Sequence, residues 1–318
     1  MLAVHLQDRH VLVRDVRQPK APKGFALIRL IRAGICNTDL ELQRGYYGFR
    51  GIPGHEFVGE VAASENPHLL GRRVVGEINL GCRKCDWCRN GLARHCPRRT
   101  VLGIVRHPGA FREFLTLPEV NLHVVPDSIS DDAAVFVEPL AAASEILDQV
   151  SIPERDVIAV LGDGKLGLLV AQVLNVAGKS IHLFGHHKEN LRIAQLSGIE
   201  TTLLSTKFPR AAYNWVVDAT GSPDGLSQAL QMVRPRGTVI MKSTMHQPVR
   251  MDAAPVVVNE VTIVGSRCGR FEPAIDLLRL RKINVEDMIS EVLPLSQARR
   301  GFALASKSGA LKILLSNT

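Results

Sequence analysis

Val157-Ile-Ala-Val-Leu-Gly162-Asp-Gly164-Lys165-Leu166-Gly167 is the stretch on which the fold turns. A short apolar run, of the kind a buried parallel strand needs, breaks into Gly-x-Gly-x-x-Gly. Behind it, apolar residues recur at Leu169, Val170, Val173, Leu174 and Ala177, one face of a helix, and Gly178 stands where that helix should stop. Strand, glycine turn and helix in this order predict a dinucleotide site. Gly162 permits the tight turn, Gly164 lets backbone approach a pyrophosphate, and Gly167 lets helix pack on strand. Lys165 and Leu166 open the helix, whose free N–H groups face the phosphates.

Working outward, strands are expected at 157–161, 180–184, 201–204, 214–219, 237–241 and 261–264, with helices between several of them. That is an α/β Rossmann unit. Ahead of it the pattern is antiparallel β: Val11–Val13, Phe25–Ile31, Phe57–Ala63, Arg73–Ile78, Phe111–Leu117 and Leu122–Val125. A helix is expected over 131–150. Behind the unit come a helix at 271–281, a strand broken at Pro294, a helix at 296–306 and a last strand at 311–315. The expected division is a β-rich domain over 1–145 with a separate cysteine-rich lobe at about 80–98, a nucleotide domain over 146–267, and a return to the first domain over 268–318.

A length of 318 residues suits two domains better than one core. No apolar stretch approaches the roughly 20 residues of a membrane span, and no signal-peptide core opens the chain, so the expected setting is the cytoplasm, away from membranes. The net charge of +8 comes from scattered Lys and Arg. Without a long basic run or interleaved aromatics it reads as solvated surface, not as a nucleic-acid footprint.

Four of the six cysteines crowd one loop: Cys82, Cys85, Cys88 and Cys96. Four closely spaced thiolates complete a tetrahedral zinc shell without an open position, the chemistry of a closed structural site, the other readings being an iron–sulfur cluster or a nucleic-acid-binding ribbon. Gly81 and Gly91 allow its turns, and Arg83, Lys84, Arg89 and Arg94 offset its charge. A looser set comprises Cys36, His55 and Glu138, with Glu56 beside the histidine. Sulfur, imidazole and carboxylate together are the mixed donors of a catalytic zinc with one position open. Glu138, set in Phe136-Val-Glu-Pro-Leu140, is expensive to bury unless it meets a metal or cation.

These segments, in this order, resemble the zinc-dependent medium-chain dehydrogenase/reductases, the alcohol and polyol dehydrogenase group. The resemblance is carried by Gly34-Ile-Cys36-Asn-Thr38-Asp39, Gly54-His55-Glu56-Phe-Val-Gly59, Gly71-Arg-Arg-Val-Val75, the cysteine loop, Val137-Glu138-Pro-Leu140, Asp218-Ala-Thr220-Gly221 and Leu311-Lys312. It implies a GroES-like catalytic domain beside the Rossmann domain. It implies Cys36, His55 and Glu138 as ligands of a catalytic zinc, with Glu56 a rival or exchanging ligand, and a second zinc in the cysteine lobe. Asp39 would orient His55, and Thr38 would relay the substrate proton. Thr220 and Lys312 would join the cofactor-binding residues. The chain departs from the family at Glu41, where many members carry a relay histidine, and at Arg72, where an acid is usual.

The implied reaction is reversible hydride transfer between NAD(P) and an alcohol, polyol, sugar or amino alcohol, or the matching carbonyl compound. The cleft would lie between the domains, with Tyr46, Tyr47, Phe49 and Phe111 as candidate walls and Cys268 nearby. At the end of the second Rossmann strand Gly185-His186-His187-Lys188 replaces the acid that binds a ribose 2′-hydroxyl, which favours NADP over NAD. A small-molecule substrate and a homodimer or homotetramer complete the expectation. The rivals are a zinc-free quinone or enoyl reductase of the same fold and a nucleic-acid-binding zinc protein.

Overall fold

A computed structural model describes residues 1–204, 208–244 and 251–317. Its central layer is a six-stranded parallel sheet. Across it run Glu200–Leu203, Ser180–Gly185, Val157–Leu161, Tyr213–Asp218, Val233–Met241 and Thr262–Gly265. In chain order that is 3-2-1-4-5-6, so the direction of winding reverses beside Val157–Leu161 and opens a crevice at the strands' C-terminal ends. The central strand Val157–Leu161 is near-continuous Val, Ile and Leu because both faces are covered. Gly162 takes φ 106°, and a Cβ on Gly167 would overlap the Gly162 carbonyl, so helix Lys165–Val176 reaches the sheet only through glycine.

The second large sheet has seven strands. Its path runs Leu122–Val124, Arg73–Gly76, Glu56–Ala63, Phe25–Gly34, Lys312–Ser316 and Ile289–Pro294, with Phe114–Pro118 also paired to Phe25–Gly34. The chain's tail therefore completes a sheet begun by its head: Leu314 pairs with Gly34 and Leu315 with Ala33. That register sets Lys312 near the loop bearing Cys36. Smaller sheets are the hairpin Leu2–Gln7 with His10–Asp15, and three short strands beside the cysteine loop.

Several boundaries move. The helix expected over 131–150 is two, Asp131–Ala134 and Val137–Gln149. Pro139 has no N–H for the carbonyl four residues back, so one helix cannot run through it, whereas a new first turn accommodates it. The strand expected from Phe111 begins at Phe114, because residues 109–111 bond back to Ile52, Pro53 and Gly54. The last helix is α-helical only over Ala298–Ala305.

Candidate active site and metal centres

A cleft of about 600 Å³ opens where the seven-stranded sheet faces the glycine turn. Its lining brings together Cys36, Thr38, His55, Glu56 and Glu138 from the first sheet and its neighbours. From the parallel sheet come Gly162, Gly164, Lys165, Leu166, His186, His187 and Thr220, and from the tail Lys312. Gly167, Gly185 and Lys188 stand behind this lining. Gly164 faces open space, where a pyrophosphate would pass.

Three donors converge in the cleft. Cys36 Sγ, a His55 ring nitrogen and a Glu56 carboxylate oxygen lie within 4.8 Å of one another. His55 and Glu56 are adjacent but reach the same point because Gly54 turns at φ 97°, with Phe111 packed where its side chain would be. Asp39, fully buried, accepts the Cys36 N–H at 2.9 Å and the Gly54 N–H at 3.0 Å. It was expected to orient the His55 ring. It stands 3.6 Å from Nδ1, an ion-pair distance beside the ring, and also pins the two ligand loops to each other. Burial pushes the His55 pKa down, but the carboxylate of Asp39 and the thiol of Cys36 more than offset it and hold the ring well above its ordinary value.

Glu56 is buried with Lys312, and the two form an ion pair. Lys312 is thus occupied beneath the donors and is not extended toward a pyrophosphate. Its ammonium stays protonated: burial lowers the pKa, and Glu56 and Cys36 raise it by more. The pair engages only one Glu56 oxygen. Oε1 of Glu56 is buried without a partner, an orphaned acceptor that a cation would satisfy, whereas the unpartnered Nδ1 of His55 faces the Asp39 carboxylate. The donor set fits zinc. Glu138 lines the same cleft but lies outside this three-atom group. Burial pushes its carboxyl up to about 7.

Thr38 Oγ1 lies 3.8 Å from Cys36 Sγ on the cleft wall. Glu41, at the usual relay position, is turned away to Arg44 at 2.5 Å. Tyr46 and Tyr47 line the cleft as expected, their rings stacked at 4.1 Å. Phe49 and Phe111 do not. Phe111 is fully buried edge-on to Phe302, and Phe49 packs against the same core.

In the cysteine loop Cys82, Cys85, Cys88 and Cys96 also gather within 4.8 Å, with Cys85 Sγ at 3.5 Å from Cys88 and 3.7 Å from Cys96. The cation touching this knot is Arg98, whose Nη2 donates to Cys82 Sγ at 3.4 Å. The arginines expected there serve elsewhere: Arg83 bonds Asn121, Arg89 pairs with Asp86, and Arg94 reaches Glu145 and the Cys268 carbonyl. The lobe is thereby fastened to helix Val137–Gln149, which carries Glu138.

At the far end of the cleft, the second strand ends as Gly185 because Asp163 needs the space; a Cβ there would collide with the Asp163 side chain. The Asp163 carboxylate accepts the His187 N–H at 2.6 Å and faces His187 Nδ1 at 3.2 Å. His187 Nε2 meets Ser308 Oγ at 2.9 Å. His186 and Lys188 stay exposed.

Sequence reading missed Lys242. It follows strand Val233–Met241, lines the cleft, and donates to the Ala142 carbonyl at 2.5 Å, Ser266 Oγ at 2.9 Å and the Arg267 carbonyl at 3.2 Å. Burial pulls its pKa down to about 8. A lysine closing the apolar run Val239-Ile-Met241 was the available signal.

Comparisons with known proteins give the family and the fold. Residues 22–127 match the alcohol dehydrogenase GroES-like domain, and residues 166–280 match the zinc-binding dehydrogenase domain. A D-altritol 5-dehydrogenase of Agrobacterium fabrum is 30% identical over 87% of this chain and 87% of its own length. A sorbitol dehydrogenase of Halalkalibacterium halodurans is 26% identical over 96% of this chain and 95% of its own. The solved alcohol dehydrogenase of Thermus sp. ATN1 superposes with a TM-score of 0.89 at 30% identity, covering 99% of both chains.

Proposed function

The chain belongs to the zinc-binding alcohol dehydrogenase family with a GroES-like domain, and from that premise we propose how its own residues divide the work. The family's chemistry is zinc-dependent, NAD(P)-linked oxidation of alcohols and polyols or reduction of the matching carbonyls, so the chain is an enzyme of that class. Membership favours this reading over a nucleic-acid-binding one, and the three cleft donors disfavour the zinc-free reductase.

The observation that carries the assignment is the convergence of Cys36, His55 and Glu56, with one orphaned Glu56 oxygen, on the cleft that holds the glycine turn. In this reading they are the protein ligands of a catalytic zinc. Glu138, kept partly protonated by burial, stands by as a hydrogen-bonding group or exchanging ligand. A zinc ion there supplies Lewis-acid polarisation of the substrate oxygen, and a nicotinamide ring supplies the hydride carrier. Thr38 takes the substrate hydroxyl proton toward the ribose side of the cleft. Asp39 holds the ligand loops in register, while Tyr46 and Tyr47 shield the entrance from water. Gly162, Gly164, Lys165, Leu166 and Gly167 cradle the pyrophosphate, Thr220 borders the nucleotide, and Lys312 balances the charge of Glu56. Cys82, Cys85, Cys88 and Cys96 hold the second, structural zinc.

For the adenosine ribose we favour the 2′-phosphate of NADP. Asp163 is committed to His187, so no free carboxylate awaits a 2′-hydroxyl, and the clamped loop presents exposed His186 and Lys188 to a phosphate. Residues 1–145 with 268–318 form the catalytic unit in this reading, and 146–267 the nucleotide unit. The tail strands paired to the first sheet support that division. A homodimer or homotetramer is supported by the edge strand Thr262–Gly265, which among the described residues pairs on one side only, beside exposed Val257 and Val258. Six unpaired thiols suit a reducing cytoplasm, and among the described residues no helix is long and apolar enough to cross a membrane.

The testing experiment measures metal per chain, then screens polyols, sugars, hydroxy amino acids and simple alcohols with NAD and NADP separately. Two zincs and polyol turnover support the reading. One zinc, retained by the cysteine loop while the cleft stays empty, rejects the catalytic centre.

A further inference from the structure

Beside the N-terminal hairpin, outside the cleft lining, lies a buried guanidinium that has no counter-charge among the described residues. Arg112 is 5% exposed, and its Nε has no hydrogen-bond partner. Among the described residues it forms no ion pair, and burial alone lowers its pKa, to about 10. Cross-strand register decides what surrounds it. Ala3 is paired with Arg14 on one side and bridged to Arg112 on the other. Directly opposed residues in a sheet present their side chains to one face, so Arg14, the small Ala3 and Arg112 form a row across three strands. His5, two residues along the same strand, shares that face.

The chemistry of this face is one-sided. His5 Nε2 is buried and without a partner. Burial lowers the His5 pKa, and the charges of Arg14 and Arg112 lower it further, so both arginines are close. His107 also feels Arg112, but its Nε2 is engaged by the Thr116 carbonyl at 3.0 Å. The neighbouring acid, Glu113, is used by the Leu2 N–H at 2.9 Å. Arg14 leans on the uncharged Gln7 amide at 3.2 Å. Two arginines and an imidazole nitrogen therefore share one face of the sheet, and both guanidinium charges act on the imidazole.

A buried guanidinium left unpaired is costly, and its planar fork matches an oxyanion in two-point contact. We propose that Arg112, Arg14 and His5 form a binding site for a phosphate-type oxyanion, separate from the cofactor cleft. The same chemistry would accept free inorganic phosphate or the head of a small phosphate monoester.

The test uses the holoenzyme with zinc and saturating cofactor, which keeps the cleft's own phosphate positions filled. Thermal unfolding is followed at constant ionic strength while chloride is replaced by inorganic phosphate in one arm and by glycerol 3-phosphate in the other. Wild type should rise saturably by about 2 °C in at least one arm. The arm that saturates at lower concentration identifies the source. Arg112→Met, which keeps the packing and removes the charge, should abolish that rise and leave turnover in chloride unchanged. His5→Gln should weaken it, and decides the matter if R112M does not fold. The proposal is overturned by no rise in wild type, or by an equal rise in wild type and the variants, which would mark a general salt effect.

Discussion

The two sulfur-bearing centres are built on opposite plans. In the cysteine loop all four donors come from fifteen consecutive residues and are of one kind. A cation there would be fully enclosed, and the knot's ties run outward to hold protein: Arg98 to its sulfur, Arg94 to helix Val137–Gln149. In the cleft the donors are mixed and come from two separate loops. They are held together by Asp39 and charge-balanced by Lys312, a residue 256 positions away in sequence from Glu56. The closed centre spends its ligands on stability. In the proposed reading the open one keeps a position for chemistry and relies on buried neighbours to hold its shape.

That contrast breaks most visibly if the cleft donors are removed. Cys36→Ser or His55→Ala should lower kcat/KM by about 10³-fold or more, the scale of losing several kcal/mol of Lewis-acid stabilisation. Metal content should fall by one equivalent, with the melting temperature little changed. Cys88→Ser should do the reverse. Loss of the enclosed metal should lower the melting temperature by about 10 °C, while turnover per folded molecule at low temperature persists. A C88S enzyme that melts like wild type would show that the lobe needs no metal.

A finer test separates the two glutamates. Glu56→Gln should weaken zinc binding in the cleft by about 10–100-fold, and Glu138→Gln by less, with its effect concentrated in kcat. Competition with a chromogenic chelator reads both. Equal losses would make the two carboxylates alternate ligands rather than ligand and neighbour.

Legibility followed the same divide. The cysteine loop could be read directly, because its spacing alone encodes its geometry. The Rossmann strands were likewise readable, since runs such as Val157–Leu161 are buried on both faces and broken by glycine. The cleft donors could be named, but their arrangement could not. That Glu56 rather than Glu138 joins Cys36 and His55 depends on the turn at Gly54 and on Lys312 arriving from the tail strand. Lys242 escaped notice for a related reason, as its three acceptors lie on segments 24 to 100 residues away. The aromatic walls failed at Phe111 because an apolar side chain beside a site can serve the core equally well.

The smallest expected effect concerns the far end of the cleft. The acid missing after the second strand was legible in Gly185-His-His-Lys188, but its cause was not: Asp163 occupies the space and takes His187 out of the cation set. His186 and Lys188 remain exposed, and an exposed charge is worth little unless its partner is strongly charged. A 2′-phosphate is such a partner. Lys188→Ala should therefore raise the NADP KM about tenfold, on the order of 1.4 kcal/mol, and leave the NADH-forming reaction almost unchanged. Asp163→Asn should loosen the loop and weaken both cofactors through the lost His187 contacts. If NAD binding alone collapses in D163N while K188A is silent, the turn's carboxylate has taken over the role of the missing strand-end acid, and the cofactor is NAD.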